Sequence, residues 1–222
     1  MALARSRSRF VDDAVVEYAS EHSSPPDELQ QELQQVTREK TGGAAGMQIG
    51  DDQAVFMEII ARSVGARSAL EVGTFTGYSA LAVARGMGPE GRLLCCDVSE
   101  EWTSIAREYW EKAGVSDRIE LRIGPAIDTL RALPSTPQFD LAFLDADKTG
   151  YPAYYEEIIP RLRAGGLLIV DNTLQSGRVL DPSVDDDSVR AVRQVNDRIA
   201  SDDRVRTVML PIGDGVTLAE RI

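Results

Sequence analysis

The chain has 222 residues and a mass of 24.2 kDa, enough for one large domain or a domain carrying an arm. With 43% hydrophobic and 27% charged residues it can bury a core, and no apolar run approaches the ~20 residues that span a bilayer. The formal charge is −12, with acidic residues crowded at Asp185, Asp186 and Asp187 and at Asp202 and Asp203, which disfavours a nucleic-acid partner.

The start, MALARSRSRF, carries arginines with no apolar stretch behind them. No secretory signal is expected there, and the protein is expected in the cytoplasm. His22 is the sole histidine, so a centre needing two or three imidazoles cannot be built within one chain. Its polar setting before Pro25 and Pro26 favours a solvated loop residue over a member of a Ser-His-Asp triad. Acid–base or metal chemistry therefore falls to carboxylates, amides, lysine or tyrosine. Pro25-Pro26-Asp27 ahead of ELQQELQQV reads as a helix start, Thr41 to Gly46 as a flexible break, and residues 51–64 as a further helix. Residues 1–64 are read as an N-terminal helical arm and 65–222 as the main unit.

Beyond the arm, short apolar runs alternate with helical stretches: 69–73, 92–98, 119–124, 139–146 and 166–172. Several are apolar without alternation, as expected of parallel strands covered on both faces. Cys95 and Cys96 fall inside the second run and read as reduced core residues. Ser99 is the expected N-cap and Gly114 the expected C-cap of one helix. Pro152 is the expected start of another, and Gly165-Gly166 its end. Residues 204–210 and 215–221 are separated only by Pro-Ile-Gly-Asp, too short for a crossover helix, and predict an antiparallel hairpin. The fold class is therefore α/β: a doubly wound, mostly parallel, seven-stranded sheet ending in an antiparallel hairpin.

In such sheets ligands bind beyond the carboxyl ends of the strands. The first of these ends is Glu71-Val72-Gly73-Thr74-Phe75-Thr76-Gly77-Tyr78-Ser79, and Asp97 closes the second strand. The glycine spacing lacks the G-x-G-x-x-G of a pyrophosphate site, which favours a nucleoside without phosphates. S-Adenosylmethionine fits, with its ribose at Asp97 and its carboxylate at the helix N-terminus and Ser79. The plainer reading is that Gly73 and Gly77 only allow a tight turn and Asp97 only caps a helix. Asp145-Ala146-Asp147-Lys148 and Asp171-Asn172-Thr173 end the fourth and fifth strands. Asp145, Asp171 and Asn172 could converge on one hard cation, Mg²⁺ foremost, with Ca²⁺ or Mn²⁺ as alternatives; solvated strand ends are the simpler reading. Lys148 is either a surface lysine paired with Asp147 or a base that takes a proton from an acceptor hydroxyl.

Taken together, MQIGDDQAVFM, ALEVGTFTGYSAL, AGVSDRIELRIGPA, FDLAFLDADKTGY, GGLLIVDNTLQSG and LPIGDGVTLAERI resemble the cation-dependent O-methyltransferases, the group of caffeoyl-CoA and catechol O-methyltransferases and their bacterial relatives, from about Thr41 onward. The resemblance implies a class I methyltransferase fold, metal ligation by Asp145, Asp171 and Asn172, and Lys148 as base. It implies contacts to S-adenosylmethionine from Glu71, Gly73, Thr74, Ser79, Asp97 and Ala126, and from Val98, Asp145 and Asp147. Met47 and Ile49 would close over the cofactor, with the arm and the 173–187 loop as lids. A homodimer is also implied. Where plant relatives have Leu-Trp-Asn-Gly, this chain has Leu174-Gln175-Ser176-Gly177, followed by an acidic segment that would repel a CoA phosphate. A free small phenolic or catechol-like acceptor is therefore expected. A tRNA hydroxyuridine methyltransferase and a non-catalytic nucleoside-binding scaffold are the alternative readings.

Overall fold

The structure, a computed structural model, describes residues 10–222; nearly all of the arginine-bearing start lies outside them. The arm holds α1 (Asp13–Glu21), α2 (Glu28–Thr41) and α3 (Asp51–Ser63). Helix α2 begins where Pro-Pro-Asp predicts, because Asp27 and Gln30 satisfy each other's backbone N–H groups at 2.8 and 3.1 Å, which removes two orphan donors of the first turn. The expected flexible break is a 3₁₀ turn over Gly42–Met47. Leu33 and Met57 anchor the arm in the core. A polar seam fastens it further: Gln34 donates to the Tyr78 hydroxyl at 3.0 Å, Tyr78 donates to Asp51 at 2.8 Å, and Thr37 donates to Thr76 at 2.8 Å.

Strands β1 (Ser68–Val72), β2 (Arg92–Asp97), β3 (Ile119–Ile123), β4 (Phe139–Leu144) and β5 (Leu162–Val170) alternate with α4 (Tyr78–Met87), α5 (Glu100–Lys112), α6 (Ala126–Ala132) and α7 (Tyr151–Ile158). Helix α8 (Asp187–Ala200) and the hairpin β6 (Val205–Leu210) and β7 (Val216–Arg221) complete a seven-stranded sheet of order β3-β2-β1-β4-β5-β7-β6. The strands β1 to β5 pair in parallel, and β7 runs antiparallel to both its neighbours.

The apolar runs lack alternation because both faces are covered. Leu141, Phe143 and Ile169 point into one buried cluster with α3, α4 and α5, while Ala142, Leu144, Leu168 and Val170 enter a second with α7 and α8. Each large side chain so buried contributes about 1.5–3 kcal/mol. One boundary expectation is corrected: α7 ends at Ile158, and Gly165-Gly166 lie inside β5. The register of β5 against β4 shifts between Phe139 and Leu141, so the glycines ease an irregular strand and do not stop a helix. Among the described residues no helix is long and apolar enough to cross a membrane.

Candidate active site

The winding reverses between β1 and β4, which opens a crevice beyond their carboxyl ends. The ladder continues past the strands and sets the site residues side by side. Gly73 donates to Cys96 at 2.9 Å, Asp145 to Val72 at 2.9 Å, and Asp171 to Leu144 at 3.0 Å, all through backbone. Gly73 is dictated by this closeness. With φ +92° it sits where a Cβ would fall 1.9 Å from the Asp145 carbonyl oxygen. Gly77, at φ +80°, faces Ala106 and Trp110 in the same way. Both glycines thus have a structural reason of their own, beyond any ligand.

A cavity of about 660 Å³ occupies the crevice. Of the residues singled out from the sequence, Met47, Ile49, Gly73, Ser79, Asp97, Val98, Ala126, Asp145, Asp147, Lys148, Asp171 and Asn172 line it. Glu71 and Thr74 lie buried behind its wall. Asp97 is held by three backbone donors, Thr74 and Phe75 on one oxygen and Ser99 on the other, each at 2.8 Å, which fixes the carboxylate for bidentate acceptance. Phe75, at φ +51°, packs edge-on against Trp102 with ring centroids 5.0 Å apart, giving this end an aromatic wall that sequence reasoning missed.

Glu71 has no measurable exposure, and its carboxyl lies against the Ser79 and Thr74 hydroxyls without a hydrogen bond of good geometry to either oxygen. Burial lifts its pKa well above the usual carboxylate range although those hydroxyls lower it, and the charges of Asp145 and Asp97 push the same way as burial. The Thr74 hydroxyl is likewise buried without a well-formed hydrogen bond. Such poorly satisfied acceptors beside the glycine turn suit a ligand with an amino group, as S-adenosylmethionine has.

At the other end Asp145, Lys148, Asp171 and Asn172 share the cavity wall. Burial raises the Asp171 pKa and the nearby Asp145 charge adds to it, while Lys148 opposes both. Asp171 accepts the Asn172 backbone N–H at 2.7 Å, and Asn172 takes the left-handed φ of +54° that brings it round beside its neighbour. Among the described residues no three His, Cys, Asp or Glu side chains are grouped to hold a metal ion; the candidate set reaches three only through the Asn172 amide. Two carboxylates and an amide are nonetheless all-oxygen donors, and their mutual repulsion is what a hard dication relieves, so they fit one.

Lys148 does not pair with Asp147. Its Nζ donates to Asp145 Oδ1 at 2.8 Å, the Ala146 carbonyl at 3.1 Å and the Tyr151 hydroxyl at 2.7 Å, three acceptors for the three donors of an ammonium. Asp147 instead accepts from Tyr154 at 2.7 Å and Thr149 at 3.1 Å. Tyr151 is fully buried, and burial first, then the charges of Asp145 and Asp171, holds its hydroxyl protonated. Its place three residues after Lys148, at a helix start, was the only sequence signal for it.

The inserted antiparallel β7, with a cavity beyond the ends of β1 and β2 lined by Gly73, Ser79 and Asp97, is the arrangement of a class of proteins: methyltransferases that use S-adenosylmethionine. An O-methyltransferase family model matches residues 20–222. The chain is 40% identical over 214 residues to probable caffeoyl-CoA O-methyltransferase 1 of Dictyostelium discoideum, covering 95% of this chain and 93% of the relative. A Bacillus cereus O-methyltransferase solved with SAH superposes with a TM-score of 0.85 at 34% identity, over 94% of this chain and 97% of the other. TomG of Streptomyces achromogenes, solved with SAM, gives 0.84 at 30%, over 94% and 96%. The chain belongs to this O-methyltransferase family, and it is an S-adenosylmethionine-dependent enzyme.

Proposed function

We propose that the enzyme moves the methyl group to a hydroxyl of a small catechol-like or polyphenolic acceptor, with a divalent cation, Mg²⁺ foremost, held by Asp145, Asp171 and Asn172. The observation that carries this reading is the gathering of two carboxylates, one amide and Lys148 on one wall of the cavity whose other end fits the donor. Bound there, the cation would act as a Lewis acid that draws the acceptor hydroxyl toward ionisation at neutral pH.

The chain's own residues do the rest. Asp97 holds the donor's ribose, and Ser79 with the N-terminus of α4 holds its carboxylate. Once Asp145 is engaged elsewhere, Lys148 gives up one proton to solvent and, as a neutral amine, receives the acceptor's proton at Nζ, with Tyr151 keeping the amine in place. The strand ends hold the nucleophilic oxygen in line with the methyl group, while Met47 and Ile49 keep water from the reacting pair.

The caffeoyl-CoA relative supports an aromatic hydroxyl as acceptor. The acidic segment expected to repel a nucleotide phosphate is charge-paired, Asp185 and Asp187 with Arg190 and Asp186 with Arg178, so it does not by itself discriminate a free phenol from a thioester. Methyl transfer to catechol, measured with and without EDTA, tests the reading. Loss on chelation and recovery with Mg²⁺ is expected, and activity indifferent to EDTA rejects the metal.

A further inference from the structure

The arm side of the cavity carries buried amide donors that none of the roles above uses. Gln53, on the first turns of α3, is 3% exposed, lines the cavity wall beside Asp171 and Asn172, and its Nε2 has no well-formed hydrogen bond. The neighbouring groups explain which end of the amide is free. A Cβ built on Gly213 would lie 3.1 Å from Gln53 Oε1, so the oxygen faces the turn between β6 and β7. The amide also sits close enough to Asp171 to ease its charge through a side-chain hydrogen bond, one too poor in geometry to satisfy the Nε2 donor. An amide N–H₂ buried in this way calls for an oxygen acceptor from whatever fills the cavity.

We infer that Gln53 is an acceptor-positioning residue: its Nε2 donates to an oxygen of the bound dihydroxylated aromatic, so that the arm takes part in acceptor recognition and does not merely cover the donor. The inference rests on the acceptor class proposed above. It names the acceptor's chemistry more closely, as a ring with two neighbouring oxygens, one for the proton transfer to Lys148 and one within reach of the arm. Gln48, which also lines the cavity and whose Nε2 is likewise buried without a partner, gives the same side of the arm a second free donor.

Gln53→Met keeps the length of the side chain and removes the donor, and Gln53→Glu keeps the shape and replaces the donor with an acceptor. Binding of catechol to each protein, measured by calorimetry with SAH and Mg²⁺ present, should weaken about tenfold in both variants, with KM for catechol rising in parallel. The dissociation constant for S-adenosylmethionine in both variants, and that for Mn²⁺ in Gln53→Met, read by electron paramagnetic resonance, should stay within twofold of wild type. Unchanged catechol binding in the variants overturns the inference while leaving the proposed function standing. A parallel loss of Mn²⁺ affinity overturns it too, since Gln53 would then be organising Asp171 and not the acceptor. If the wild-type enzyme binds no dihydroxylated aromatic, the acceptor class itself fails and the inference with it.

Discussion

At Lys148 each N–H donor already has an acceptor in Asp145, Ala146 or Tyr151, so the amine can take the acceptor's proton only after one of those three N–H protons has left, which withdrawal of Asp145 would favour. Replacing Lys148 by methionine should lower kcat by about 10²–10⁴, the usual worth of a positioned base, with the dissociation constant for S-adenosylmethionine unchanged in equilibrium binding. Asp171 supports a separate expectation. The cost of holding it ionised beside Asp145 is relieved by a bound dication, so MgCl₂ at a hundred times its Kd should stabilise the protein by about 2.7 kcal/mol. Thermal melts should show this as a shift of several degrees that Asp171→Asn abolishes. The strand-end carboxylates and Lys148 were legible because polar residues follow apolar runs directly. Tyr151 and Gln53 were not, since one reads as a helical aromatic and the other as an arm amide until the chain is folded.

At the scale of elements, β1 and β4 approach so closely at their carboxyl ends that Gly73→Ala drives a methyl group into the Asp145 carbonyl. Strain at positive φ and the clash together should cost about 3 kcal/mol or more, measurable as a lower urea midpoint. The segment before α8 is held differently. The Arg193 guanidinium donates to the carbonyls of Val179 at 2.9 Å, Val184 at 2.8 Å, Arg178 at 3.0 Å, and also Asp181. The acidic loop expected to serve as a lid is thus tied back onto α8. Arg193→Ala should free it, with faster amide exchange over residues 178–187 in hydrogen-exchange mass spectrometry and a stability loss of about 1–3 kcal/mol. Sequence reading found nearly every strand and the N-cap of α5 at Ser99; its C-cap is Ala113, one residue before the expected Gly114, which takes the left-handed φ of +66° just beyond. The same reading misjudged Gly165-Gly166 because the register shift that needs them is a property of two strands.

Across the whole molecule, two buried carboxyls respond to acid in opposite senses. Asp202 is held well below the usual carboxylate range, chiefly by the Arg204 side chain, and it also accepts from Tyr155 at 2.9 Å. A depressed folded pKa means stability that is present above the unfolded value of ~3.9 and is lost as pH falls below it. Glu71 is raised, so the native state binds its proton first and gains stability as pH falls from neutrality toward ~4. Chemical denaturation of the ligand-free enzyme across pH should therefore peak on the acid side of neutrality and collapse below ~4. Asp202→Asn should soften the collapse, and Glu71→Gln should flatten the rise. The topology was readable from the spacing of apolar runs. The acid response was not, because it depends on which carboxyl meets an arginine and which is buried without one.

Strand β7 is formed by residues 216–221 yet lies in the interior of the sheet, between β5 and β6. The turn before it carries Asp214 and Gly215, whose backbone carbonyls accept from Leu174 and Thr173 at 3.0 Å each. Both strands that flank β7 depend on residues 216–221 arriving between them, so β5 and β6 keep open edges, and residues 173 and 174 lack their backbone tie, until that strand is seated. Deleting residues 211–221 should leave those edges open to pair with other chains, which makes the remaining sheet prone to association.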